Sequence, residues 1–282
     1  MRSIIPYSGF EMDLSAITVD SIRSGAGQTV VLVHSSASGA GQWRALVADL
    51  DQHYETIAVN LFGYGDTTQW NGLEVQTLDD QAKLVEMSIT HKLDAICLVG
   101  HSFGGSVAMK AASYLGDRVE KLILIEPNPF NLLKHEGRIE AYEESLMIRG
   151  WVQDFGRKGE WQLAAEKFID YWNGAGAWSS LSDKQKIKLV SLVRPNFYEW
   201  DAVLGDDTEI KEWYENLPRD TMVLLTQNTR RPIQEIGGIL QRYCRAWHFE
   251  YLEDCDHMAP LSRPDLVNPR VVSFLDAGRK KT

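Results

Sequence analysis

At 282 residues, 44% of them hydrophobic, the chain has room for one large core, or a core with a smaller appended unit. Its formal charge of −10 is spread without a long run of one sign, which argues against nucleic acid and anionic membrane as partners. No apolar run approaches membrane-spanning length and residues 1–7 are too short and too soon broken by Pro6 for a secretion signal, so a cytoplasmic protein is expected.

From the N-terminus, residues 17–22 alternate like an edge strand, and Gly25-Ala26-Gly27 turns into the apolar run 29–33, a buried strand. A loop of small residues, 34–41, leads to a helix whose one face carries Trp43, Leu46, Val47 and Leu50. Residues 54–60 read as a strand, the Gly63 to Asp66 stretch as a turn, and 77–91 as a helix spaced on Leu78, Ala82, Val85 and Ile89. The apolar run 95–99 then stops at Gly100 and is followed by His101, Ser102 and a helix through 106–112; residues 119–125 are a further strand ending at Glu126-Pro127. Strands alternating with helices, several of them continuous apolar runs, imply an α/β fold with a mostly parallel sheet covered on both faces.

That alternation breaks at Phe130. As far as Leu217 there are only helix-length stretches rich in aromatics, after which it resumes with a strand at 221–226, a helix at 233–243, a strand at 246–252, a polar loop and a last helix over 264–277. With no internal repeat and no low-complexity linker, the inserted helices are expected to pack on the core. The domain division is therefore 1–127 with 218–282 as the core and 128–217 as a helical cap. Cys97, Cys244 and Cys255 form no disulfide pattern, and Cys97 reads as a small core residue.

Gly100-His101-Ser102-Phe103-Gly104 fits a G-x-S-x-G strand-to-helix turn, in which a strained serine is presented between a buried strand and a helix and any side chain at the flanking glycines collides across the turn. Chance produces the pentapeptide easily; its strand-like and helix-compatible neighbours give it weight. A serine hydroxyl needs an adjacent base to attack a carbonyl, and His257, in the polar loop after the last strand, suits that task. His101 is expected to pack away from Ser102. Cys255 and His257 make a bare C-x-H with no second ligand pair, so no metal is expected, and no cofactor.

The order of parts resembles the α/β-hydrolase fold, through the His34-Ser35-Ser36 loop, the Gly100 to Gly104 turn and Asp256-His257-Met258-Ala259-Pro260-Leu261. The resemblance implies an eight-stranded-type sheet, nucleophile, acid and histidine in that chain order, and an oxyanion hole formed by the backbone amides of Phe103 and, by loop position, Ser36. His34 corresponds to the family's loop histidine, with a supporting role expected. Ser35 stands where glycine is frequent, so the loop's shape is less determined.

The sharpest departure is the acid. The usual place, after the strand that follows the inserted helices, holds Gln227-Asn228-Thr229-Arg230-Arg231-Pro232, without a carboxylate. Some members carry the acid one strand earlier, where this chain has Glu126, and Glu126 is the expected third member; Asn228, Asp254 and Asp256, or a bare dyad, are the alternatives. The expected pocket includes His34, Ser35, Trp172 and Trp178, the two tryptophans bracketing the Asn173 to Ala177 loop and fitting equally the core of the inserted segment. The reading is a serine hydrolase for an ester, amide or thioester of a small to medium apolar molecule, with C–C hydrolysis, acyl transfer, lyase chemistry or non-catalytic ligand binding as alternatives. Oligomeric state is not readable from these residues.

Overall fold

The computed structural model describes residues 16–50, 52–89 and 94–278. The stretch 1–7, the basic tail Arg279-Lys280-Lys281 and the end of the expected 77–91 helix lie outside or run beyond the described residues. Strands β1 (Ser21–Ser24), β2 (Gln28–Val33), β3 (Tyr54–Val59), β4 (Ile96–His101), β5 (Val119–Ile125), β6 (Thr221–Thr226) and β7 (His248–Leu252) form one sheet in the order β1-β3-β2-β4-β5-β6-β7. Only β1 runs antiparallel, against β3. The described residues thus supply seven strands where the resemblance implied eight.

The apolar runs become strands because both faces are covered. Val31, Val33, Leu98, Leu122, Leu124 and Val223 face one side, where they join residues of α2 (Leu78–Ser88), α3 (Phe103–Leu115) and α10 (Arg231–Tyr243). Their alternates Val30, Leu32, Cys97, Val99, Ile123 and Leu224 face the other, against Trp43, Leu46 and Leu50 around α1 (Arg44–Leu50) and Val267, Val271 and Leu275 of the last helix, α11 (Pro264–Asp276). The strand period of two sends successive side chains into two separate cores. The helix at α2 starts where it does because Thr77 and Asp80 form a reciprocal capping box. The last strand is shorter than the 246–252 expected, since the Trp247 amide closes a turn on the Cys244 carbonyl at 2.9 Å. The edge strand β1 likewise sits two residues beyond the expected end at 22, paired through Ser24 to Thr56.

Between β5 and β6 come α4 (Asn131–His135), α5 (Ile139–Arg157), α6 (Trp161–Asn173), α7 (Asp183–Val193), α8 (Asn196–Gly205) and α9 (Ile210–Asn216). Phe130, Ile148, Val152, Trp200 and Trp213 of this stretch are buried in one continuous cluster with the α2/α3 side of the sheet. Lys110 of α3 adds a largely buried tie, 2.5 Å from Asp206 and 3.0 Å from the Thr208 hydroxyl.

The chain moves from β2 sideways to β3 and then back across to β4, so strand order reverses at the β2/β4 pair. Crevices beyond the carboxyl ends of strands at such a reversal are where open α/β sheets bind ligands. The 34–41 loop, Ser102 and Glu126 all follow directly from strands at that end. Residues from the last loop meet them there.

Candidate active site

Ser102 sits at the turn between β4 and α3 with φ 54° and ψ −120°, a left-handed conformation costing a non-glycine residue on the order of 1–3 kcal/mol. Its amide donates to the Ile125 carbonyl at 2.9 Å, which anchors the turn to the neighbouring strand. A Cβ at Gly100 would lie 2.2 Å from the Gly104 carbonyl oxygen, and one at Gly104 would lie 2.3 Å from that of Val33. Both obstacles are backbone, so the turn closes only on glycine.

His257 presents Nε2 to Ser102 Oγ at 2.9 Å and Nδ1 to Glu126 Oε2 at 3.2 Å. All three residues are buried. Since the Glu126 carboxylate accepts, Nδ1–H donates and Nε2 is left to accept from the serine hydroxyl. The carboxylate is held from the next strand as well: Thr226 N donates to Oε1 at 2.6 Å and the Thr229 hydroxyl donates to Oε2. The end of β6 and the segment after it, which lacks the usual acid, thus supply donors to the acid that follows β5. The alternative carboxylates go elsewhere, with Asp256 accepting from Met258 N at 3.0 Å and Asp254 exposed, and Asn228 is tied through its backbone N–H to the Cys255 carbonyl at 3.0 Å.

The other two buried histidines near the serine have fixed tautomers. His101 Nε2 donates to the His257 backbone carbonyl at 2.8 Å, so its Nδ1 accepts from the Gln42 amide at 3.1 Å. Gln42 Oε1 in turn accepts from Ser35 N at 3.1 Å and Ser35 Oγ at 2.8 Å. A continuous buried chain thus links the 34–41 loop to the backbone of His257. Burial, and the neighbouring His257 ring, hold His101 well below the ordinary histidine range, so it is neutral. His34 accepts from Leu61 N at 3.1 Å through Nε2 and donates through Nδ1 to the Ser35 carbonyl at 2.7 Å; burial lowers it to about 4.

A cavity of about 140 Å³ opens beside Ser102, bordered by Ser35, Ser36, Phe103, Trp172, Glu199 and His257 among others. Trp172 stacks on the His257 ring, centroids 4.2 Å apart. Two expected pocket residues are not part of its wall. His34 is fully buried edge-on against Tyr64 with both ring nitrogens bonded to backbone, and Trp178 packs within the inserted helices, its amide bonded to Asp170 and Lys186 over its ring. Phe103 opens α3, so its amide is one of the helix-start donors without an intrahelical acceptor. The residues that sequence reasoning missed are Gln42, Thr226, Thr229 and Glu199. Of these only Glu199 carries a visible signal, a lone carboxylate inside the aromatic run Phe197-Tyr198-Glu199-Trp200.

Residues 30–270 match the Alpha/beta hydrolase family. The chain belongs to the α/β-hydrolase family. This hydrolase is 35% identical to the 2-hydroxy-6-oxo-2,4-heptadienoate hydrolase of Pseudomonas putida over 136 residues, 46% of this chain and 49% of that relative. It is 23% identical to a pimeloyl-[acyl-carrier protein] methyl ester esterase of Nitrosospira multiformis over 89% of this chain and 95% of that one. Among solved structures, a thermophilic esterase from Thermogutta terrifontis superposes with a TM-score of 0.72 at 22% identity, covering 93% of this chain and 94% of the other. Among the described residues no helix of this enzyme is long and apolar enough to cross a membrane.

Proposed function

We propose that this α/β-hydrolase cleaves a small carboxylic ester, or a thioester or amide of similar size, through an acyl-enzyme on Ser102. The observation that carries the reading is the unbroken line from Ser102 Oγ to His257 Nε2 and from His257 Nδ1 to Glu126. His257 takes the hydroxyl proton as Ser102 attacks the carbonyl carbon, then passes it to the leaving alcohol. Water enters by the same route and releases the acid. Glu126 keeps the imidazole in the accepting tautomer and stabilises its cation. The amides of Phe103 and Ser36 serve the developing oxyanion, such donors being worth a few kcal/mol each.

Helices α4–α9, within residues 128–217, act in this reading as a cap, since they contribute Trp172, Glu199 and Trp200 to the cavity wall. The cavity of about 140 Å³ matches the scale at which an engineered void takes up benzene, which narrows the acyl group to roughly that size. A C–C bond cleaved by the same three residues is the second reading, supported by the similarity to a hydrolase named for 2-hydroxy-6-oxo-2,4-heptadienoate.

Intact-mass measurement after exposure to a fluorophosphonate is expected to show one adduct, located on Ser102, and hydrolysis of short-chain p-nitrophenyl esters. In Ser102→Ala the adduct disappears and turnover falls roughly 10⁴-fold or more. Labelling or turnover that survives in Ser102→Ala refutes the reading. Faster turnover of a vinylogous 1,5-diketone than of any ester places the C–C reading first.

A further inference from the structure

Among the described residues three asparagines border the cavity beside Ser102, and their side chains stand in different situations. Asn196 is engaged at both ends, its Nδ2 donating to Glu199 at 2.9 Å and its Oδ1 accepting from the Trp200 indole at 2.9 Å. Asn173, at the end of α6, is exposed at the mouth. Asn128 follows Glu126-Pro127 beyond β5 and is 6% exposed, with the residues on either side of it buried. The little surface it keeps is therefore cavity wall.

The orientation of the Asn128 amide is fixed from behind. Its Oδ1 accepts from the Ser106 hydroxyl at 2.9 Å. Ser106 is fully buried in α3, and the carbonyl one turn back, that of Ser102, already accepts the Gly105 amide at 2.8 Å and the Ser106 amide at 3.3 Å. The hydroxyl proton thus goes to Asn128, which must show its oxygen to α3 and turn its NH₂ the other way. Nδ2 donates to nothing among the described residues. Nor is it enclosed as the unpartnered Trp172 indole nitrogen is, since it retains accessible surface.

An amide nitrogen carries two N–H groups and answers only an acceptor. Among the described residues no lysine or arginine borders the cavity, whereas the buried Glu199 carboxyl does, so a substrate carboxylate finds no compensating charge there. The acceptor that fits is a neutral oxygen, a ketone or an ether. Its place along the substrate follows from the shape of the site. Leu261 and Asn173 are exposed at the mouth, through which the leaving alcohol departs, while Asn128, Phe130 and Val203 are buried in the inner wall, where the acyl chain remains. A compact void of about 140 Å³ is roughly 6–7 Å across, which sets the oxygen within about four bonds of the attacked carbonyl.

Resting on the Ser102 reading, we propose that Asn128 is a specificity-determining residue whose Nδ2 donates to a ketone or ether oxygen on the acyl chain, making short oxoacyl and alkoxyacyl esters the preferred substrates. Against an apolar wall such an oxygen loses its hydration without return, so the same cavity without the donor favours the hydrocarbon analogue. The donor reverses that order.

The test uses matched p-nitrophenyl esters, 3-methoxypropanoate against pentanoate and 4-oxopentanoate against 4-methylpentanoate. In the wild-type enzyme kcat/KM, normalised to spontaneous hydrolysis, is expected to favour the oxygen-bearing member of at least one pair by about threefold or more. In Asn128→Leu, similar in size but without a donor, that ratio falls below one; Asn128→Ala, the variant for use if the leucine fails to fold, brings it to one or below. A role confined to holding the turn slows both members alike and leaves the ratio where it was. A smaller wild-type preference in both pairs, or a ratio that survives in the folded variant, overturns the proposal. Binding of 3-methoxypropanamide against pentanamide to Ser102→Ala, read by ligand-detected NMR, needs no turnover. Pentanamide binding as tightly or more tightly overturns the Asn128 assignment, whereas selective binding of the methoxy amide with no ester hydrolysis in the wild type sinks the hydrolase reading alone.

Discussion

Glu126 occupies a left-handed backbone position, φ 49°, at the end of β5, and every donor around its carboxylate has a definite direction. Thr226 N–H addresses Oε1, while His257 Nδ1 and the Thr229 hydroxyl address Oε2. A glutamine has no comfortable orientation in that ring of donors. With its NH₂ toward Thr226, two N–H groups oppose each other; with its NH₂ toward His257, Nδ1 becomes the acceptor and the proton moves to Nε2, facing Ser102. Glu126→Gln is accordingly expected to fold normally and to lose turnover by roughly 10⁴-fold, with little change in KM. The check is kcat on a short p-nitrophenyl ester beside an unchanged circular dichroism spectrum; activity within tenfold of wild type removes Glu126 from the mechanism. Gln42 acts at one remove, and its loss frees His101 Nδ1 and releases the Ser35 amide together. Gln42→Leu therefore removes the partner of three buried groups, His101 Nδ1, the Ser35 amide and the Ser35 hydroxyl, and is expected to destabilise the fold by about 2 kcal/mol or more, measured by urea unfolding.

At the scale of elements, the strands were legible because parallel strands covered on both faces need long apolar runs, and β2, β4, β6 and the 122–125 end of β5 carry them. Ser102 and His257 were legible because the turn and the last loop have sequence patterns of their own. Glu126 was readable only through the resemblance, in which some members carry the acid one strand earlier, since its donors Thr226 and Thr229 lie about a hundred residues away and nothing local marks them. Trp178 was misplaced for a related reason: a tryptophan beside small residues reads the same whether it faces a cavity or a neighbouring helix. Glycines illustrate the limit most plainly. Gly104 was recognisable from the turn, but Gly237 and Gly238 are adjacent in α10 and indistinguishable in sequence. A Cβ on Gly237 would meet Leu225 Cδ1 at 2.7 Å, while one on Gly238 meets nothing within 4 Å. Gly238→Ala is expected to stabilise the enzyme by about 0.5–1 kcal/mol through helix propensity. Gly104→Ala, blocked by the Val33 and His34 carbonyls, is expected to cost more than about 3 kcal/mol. Chemical denaturation of the two variants beside wild type decides both, and a tolerated alanine at 104 contradicts the tight turn.

For the whole molecule, the two cores and the inserted helices converge on one buried polar seam, and that seam makes stability depend on pH in a definite direction. His34 and His101 are neutral inside the fold, His34 with its pKa lowered by burial to about 4 and His101 held well below the ordinary range. In the unfolded chain both titrate near 6.5, so below that pH the unfolded state takes up protons that the fold refuses. Their contribution is thus fully present above about pH 6.5 and is lost as pH falls toward the folded value of about 4 for His34. Each histidine costs up to about 1.4 kcal/mol per pH unit well inside that window, so the pair approaches 3 kcal/mol per unit. Glu199 and Asp79, both raised by burial, act in the opposite sense, since a raised acid favours the fold as pH falls. Urea midpoints are expected to drop between pH 7 and pH 5.5. Nitrogen-15 shifts of the imidazoles at pH 5.5 give the direct check: two rings stay neutral with one nitrogen protonated in each, at Nδ1 of His34 and Nε2 of His101. A stability that is flat or rising on acidification, or charged rings at these two positions in the folded enzyme, contradicts the buried chain from Ser35 through Gln42 and His101 to the backbone of His257.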